Sequence, residues 1–392
     1  MREPSFGLRR GRFGVGLALA LVVSGCVEDS YADGLSPQWT FFGERSAEGM
    51  TVSGAGDVVV FGAAWVDADV ELPWITRVSA AGEERWTRWY SAATEIRDVR
   101  VTTRGELFVA SEPALQFPDL QPTCSSLARL HANGASIWAR DYDSPGEGCF
   151  RGVLDMVARS GGGVEVVDYY GAWLRYDDDG AATLRSPAEL PAQELWDRGG
   201  AVLRGDGSRV VAMSGSSGGS AIVYLSPEGE VQRVVPTTGS IVRAIAARGD
   251  GGVVIAGAVE LPGEMSHWTQ DRWVGSLDAD GEQQWEQLFP GEGSVRRSEI
   301  AAIAIAPGDY AIAVGSEDSP ESESLFGDGW IGVFSPTGAL VWEEFPTRLS
   351  AVTGELIAAR PRWVAVDDDG AVYVGGDGGG LGFWVSRYEV GA

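Results

Sequence analysis

The residues of this chain best suited to chemistry are carboxylates mixed with aromatic rings, and they fall in the long segments between apolar runs. Trp65, Asp67 and Asp69 form one group, and Phe117 stands in a second. His267, Trp268 and Asp271 form a third, and Glu317, Asp318, Glu321, Glu323, Phe326 and Asp328 a fourth. Flat rings supply contact area and carboxylates supply acceptors, so this mixture suits the binding of a cationic or sugar-bearing partner. A reaction is harder to draw from it. The chain has two histidines, His131 beside a turn and His267 in a long segment. Neither belongs to a partner motif, and no nucleophile elbow, zinc spacing or phosphate loop occurs. The aspartate runs 177–179 and 367–369 suggest calcium. They lack the spaced ligands and closing glutamate of a calcium loop, and read better as self-capping turns. No catalytic residue, metal or cofactor is expected.

One cysteine carries a different chemistry. Arg9, Arg10 and Arg12 precede an apolar run over 13–23, which ends in Val23-Ser24-Gly25-Cys26. This order looks like a bacterial lipobox, in which Cys26 is lipidated and becomes the first residue after cleavage. The expected division is a lipoprotein signal peptide over 1–25, a lipidated polar tether over 26–35 and one domain over 36–392. The expected location is the cell envelope, anchored on the extracytoplasmic side of a bacterial membrane, with the outer membrane or cell surface favoured. In that oxidising compartment Cys124 and Cys149 are expected to pair, a bridge worth about 3 kcal/mol if unstrained. No later stretch is apolar enough to cross a bilayer.

The formal net charge is -26. Nucleic acid recognition needs a basic stripe, and none is visible. An acidic surface of this size favours solubility and repels anions. Basic charge in the body of the chain is all arginine, as a GC-rich genome would produce.

What must position the candidate residues is a repeat. Over 271–290, two strands flank an Asp-Gly turn, and Trp273, Gly281 and Trp285 step by eight and then four. Trp74, Gly82 and Trp86 repeat the step, as do Trp330, Gly338 and Trp342; Ser126, Gly134 and Trp138 keep it with the first Trp replaced. Each unit reads as four short strands: a small apolar one, a Val-rich one ending near Gly, a variable loop, then the hairpin. Seven units fit the chain. The third and fourth lack the late Trp, so the count alone also admits six or eight. The seventh unit stops one strand short, and Ser36 to Glu44, with Trp39, matches the missing strand. The expected fold is all-β, a seven-bladed propeller of four-stranded blades closed by that N-terminal strand. The late Trp rings are expected to lie between neighbouring blades, and the loops between second and third strands to share one face.

These units resemble the β-propeller repeats of exported bacterial proteins. The Gly-x-x-x-Trp step, as in Gly281 to Trp285, is similar to the tryptophan docking repeats of quinoprotein propellers and of the outer-membrane assembly lipoprotein with that fold. The resemblance covers the chain from about Ser36 onward and implies fold more than function. Quinoprotein cofactor sites usually include adjacent cysteines, and Cys124 and Cys149 are far apart. Sialidase repeats place Trp three residues after Gly, against four here. The resulting expectation is a monomeric, lipid-anchored binding or scaffold module whose partner is an envelope protein or glycan. The other reading is an exported propeller enzyme acting on a saccharide or a small alcohol.

Overall fold

The computed structural model of the chain describes residues 35–67, 70–90, 94–113, 125–141, 143–144, 148–149, 153–159, 162–168, 173–185, 195–197, 199–215, 219–238, 240–260, 270–290, 298–317, 328–349, 356–377 and 382–389. They form seven antiparallel sheets of four or five strands and two two-stranded hairpins. The chain is a seven-bladed β-propeller. From the axis outward, blade 1 runs Gly49–Val52, Val58–Asp67, Val70–Val78 and Glu84–Trp89. Blades 2 and 3 start at Thr94–Val101 and Val153–Ala158, blade 4 at Leu195–Asp197 with Ala201–Leu203, and blades 5 and 6 at Ser240–Ala247 and Glu299–Ala306. Blade 7 runs Arg360–Val366, Val372–Asp377, Phe383–Glu389 and, from the other end of the chain, Ser36–Gly43. The closing strand pairs antiparallel with Phe383–Glu389, from Ser36 opposite Glu389 to Gly43 opposite Phe383.

Local chemistry explains the turns. In the Asp177 and Asp367 turns the carboxylate accepts backbone N–H groups two and four residues ahead, at 2.8–3.1 Å. Both aspartate runs therefore act as the self-capping turns that their sequence suggests.

The core is not a central mass. Seven buried apolar clusters each join two neighbouring blades: blades 1 and 2 meet through Phe61, Ile75 and Val99, and blades 5 and 6 through Val274, Trp330 and Phe334. The late Trp rings complete these joints. Trp39 donates to the Ala80 carbonyl of blade 1 at 2.9 Å, Trp86 to Ala132 of blade 2 at 2.9 Å, Trp138 to Asp178 of blade 3 at 3.0 Å and Trp285 to Pro336 of blade 6 at 3.0 Å. In each case the ring lies on the turn glycine of the next blade. Gly338 has φ +86° and a Cβ there would sit 2.5 Å from the Trp285 ring, so backbone and neighbour both demand glycine. The Gly-x-x-x-Trp step thus links blades in series: the Gly receives the ring of the blade before and the Trp reaches the blade after.

Three features depart from the sequence expectation. The segment through Trp65 and Glu71, read as a loop, continues the second and third strands as a paired hairpin, with Trp65 opposite Glu71 and Asp67 opposite Val70. Blade 4 gains the extra strand Leu195–Asp197 against Arg209–Gly215. Two short hairpins, Asp143–Ser144 with Gly148–Cys149 and Thr347–Leu349 with Leu356–Ala358, lie between blades. Cys26 and Cys124 lie outside the described residues, as do the signal peptide and most of the tether.

Candidate functional site

Antiparallel order sorts the connections onto two faces. Turns after first and third strands fall on one, the short-turn face. Links between second and third strands, and between blades, fall on the other, the long-loop face. Of the predicted binding residues on this second face, Asp69, Phe117, His267, Trp268, Asp318, Glu321, Glu323 and Phe326 lie outside the described residues. Trp65 is 65 % exposed. It stands where the blade 1 hairpin has outrun its neighbours: the inner strand stops pairing at Gly49 opposite Phe61, and the outer one at Trp89 opposite Trp74.

Asp271, Glu317 and Asp328 are drawn instead into the blade 5–6 joint or its edge. Asp271 is 2 % exposed, in the strand Gln270–Leu277. Glu317, opposite Asp328 in register, accepts from Arg272 Nη2 at 2.6 Å. Burial lowers the Arg272 pKa, against Glu317, Glu343 and Asp271. The guanidinium lies 4.5 Å from the Trp330 ring centre. Glu317 is therefore an internal partner of a buried arginine. Glu112 is similar: it accepts from Arg97 at 2.7 Å and from the Val153 N–H of blade 3 at 2.8 Å.

The inner strands enclose a feature that sequence reading missed. An axial cavity of about 850 Å³ is lined by inner strands from all seven blades. Its charged residues are Glu48, Arg97, Asp98, Arg100, Asp155, Arg243, Glu299 and Arg362, as many acids as arginines in a chain of net charge -26. Arg97, Arg243 and Arg362 owe their place to β-bulges, each being the extra residue of its inner strand. A sequence signal exists. A glycine in the second strand leaves room for the bulge: a Cβ on Gly257 would lie 1.9 Å from the Ile241 carbonyl, and one on Gly376 1.7 Å from that of Arg360. Counting across the hairpin from that glycine finds Arg243 and Arg362.

Asp98 and Asp155 follow the bulges of blades 2 and 3 and clamp each blade to the next. Asp98 accepts from the Met156 N–H at 3.0 Å and Asp155 from the Ala201 N–H at 2.7 Å. Arg100 bridges both carboxylates and donates to the Met156 carbonyl at 2.6 Å. Burial pushes Asp98 up to about 7, opposed by Arg100 and two N–H donors and assisted by Asp155. The folded protein thus holds this proton more tightly than the unfolded chain, where the value is near 3.8. The contribution of Asp98 to stability is full below the unfolded value and is lost as pH rises through about 7. Asp98→Asn, which keeps an acceptor for Met156, is expected to narrow the difference in urea midpoint between about pH 5 and about pH 8. An unchanged difference would assign the pH dependence elsewhere.

Solved structures resemble this ring. The WD40 domain of Neurospora crassa Pan2 matches with a TM-score of 0.58 and 10% identity, over 92% of this chain and 96% of that one. The Dos1 propeller matches with a TM-score of 0.53 and 9% identity, over 91% and 95%. BamB from Moraxella catarrhalis gives a TM-score of 0.49 and 13% identity, over 91% and 99%. The likeness is one of fold. No protein family matches the sequence, and no curated protein does.

Proposed function

We propose that this protein is a lipid-anchored binding or scaffold module of the bacterial cell envelope, held through Cys26 and engaging an envelope protein or glycan with its long-loop face. The observation that carries the reading is the blade 1 hairpin, which projects past its own blade and leaves Trp65 65 % exposed between Val66 and the exposed Glu71. An indole held out on a rigid scaffold is the usual form of a binding hot spot. The sequence sets Asp67 and Asp69 beside it in the chain and further carboxylates at 318, 321 and 323 in another long segment, which favours a partner bearing cationic or hydroxyl groups. A propeller suits this role, since the ring fixes the loops and leaves them free to vary in sequence.

The test is crosslinking capture from native envelope with mature protein, Trp65→Ala and a variant neutralised at Asp318, Glu321 and Glu323. A partner captured by the first is expected to bind Trp65→Ala about thirtyfold more weakly, a hot-spot loss of about 2 kcal/mol. The unfolding midpoint should stay the same, because the ring makes little of the blade core. Equal capture by all three proteins would reject the long-loop face as the binding surface.

A further inference from the structure

We infer that the anchored protein stands with its short-turn face toward the membrane that carries it, so that Trp65, the long loops and the arginine-bearing end of the axial cavity face the aqueous side. The inference rests on lipidation of Cys26 and otherwise on strand direction. The third strand of blade 7 runs from Phe383, on the long-loop face, to Glu389, on the short-turn face. The closing strand is antiparallel to it and begins with Ser36 opposite Glu389. The chain therefore enters the ring from the short-turn face. It is fixed there: Leu35 is 2 % exposed, in one cluster with Ala306 and Tyr388, and Trp39 donates to the Ala80 carbonyl in a turn of that same face.

Nine residue steps separate Cys26 from Leu35, a reach of at most about 30 Å when fully extended. A tether of that length leaves the ring free to tilt. The entry point keeps the short-turn face nearer the lipid and presents the opposite face outward. A partner reaches the Trp65 hairpin from solution or from a facing surface, without competing with the anchoring bilayer.

Blade 1 supplies the ruler. Glu71 and Ala81 are both exposed, Glu71 near the start of the strand Val70–Val78 and Ala81 in the turn beyond its end, so that about 23 Å of strand separates them at roughly 3.3 Å per residue. A fluorescent amino acid is placed at one or the other in full-length lipidated protein, reconstituted in vesicles whose headgroups carry an energy acceptor. Transfer from Ala81 is expected to exceed transfer from Glu71 several-fold. Equal transfer, or the reverse order, in protein whose mass shows the lipid on Cys26 would overturn the orientation alone. Protein that carries no lipid, and behaves as Cys26→Ser does in vesicle flotation, would overturn the anchoring and the orientation together.

Discussion

Deleting the closing strand Ser36–Gly43 is expected to abolish folding of the ring, whereas a protein that starts at Leu35 folds. Three contributions act together. The strand completes the ladder on Phe383–Glu389, which would otherwise present an open edge next to blade 1. It carries Leu35, Trp39 and Phe41 into the two joints that flank blade 7, with Phe41 lying 6.0 Å from the Phe383 ring. Its Trp39 also supplies the docking contact on Gly82, where a Cβ would come within 2.8 Å of the indole. Burying each large side chain is worth about 1.5–3 kcal/mol. With the ladder, the total approaches the net stability of about 5–15 kcal/mol typical of a whole protein. Size-exclusion chromatography and thermal unfolding of the two truncated proteins check this. A protein starting at Glu44 that stays monomeric and unfolds cooperatively within a few degrees of the longer one would show that the ring closes without its clasp. A synthetic peptide covering 35–44 should restore folding in trans if strand addition is the whole of the defect.

What was legible in the sequence is what local rules govern. The Asp-Gly turns, the strand alternation, the late Trp and the displaced closing strand follow from positive φ, period-two burial and one repeated contact, and all of them locate elements of the observed ring. Contacts made between blades were opaque. Glu317 reads as a free loop carboxylate, yet it is held by Arg272 at a blade edge. The arginines of the axial cavity were invisible because a bulge shifts register by one residue, and a period-two reading then assigns the extra residue to the wrong side. The hairpin at Trp65 was missed for a simpler reason: its polar tip carries no burial signal, although its backbone pairs as far as Asp67 and Val70. Blade 4 shows a substitution of means. It lacks the late Trp, and Tyr224 and Val235 cover Gly281 of blade 5 instead, each within about 3 Å of where a Cβ would lie.

Blade 3 lacks the late Trp as well, and there a buried ion pair holds the joint, which makes Arg209→Met the point substitution expected to cost most. The glycine in the receiving turn of blade 4, Gly229, has open space where Gly82, Gly134, Gly180 and Gly338 meet an indole. Arg209 of blade 4 reaches instead into blade 3 and grips Glu165 with two N–H groups, Nη2 at 2.6 Å from Oε1 and Nε on Oε2. The side chains are only 4% and 2% exposed. Nη1 donates to the Ser226 and Pro227 carbonyls at 3.2 and 3.0 Å, and the guanidinium lies 5.1 Å from the Trp173 ring centre. Removing the arginine leaves a buried carboxylate with Arg159 beside it at 3.4 Å and strips two carbonyls of a donor. Breaking one side of such a pair costs about 3–5 kcal/mol, whereas replacing both sides with apolar groups is often neutral. Arg209→Met is therefore expected to lower the urea midpoint strongly, and the double variant Arg209→Met, Glu165→Leu to recover most of the loss. If the double variant is as unstable as the single one, the pair contributes net stability and not only the cost of its own burial. Recovery would mean that the pair fixes which blades meet and in what register, the task that the Trp and Gly contact performs where Trp39, Trp86, Trp138 and Trp285 dock.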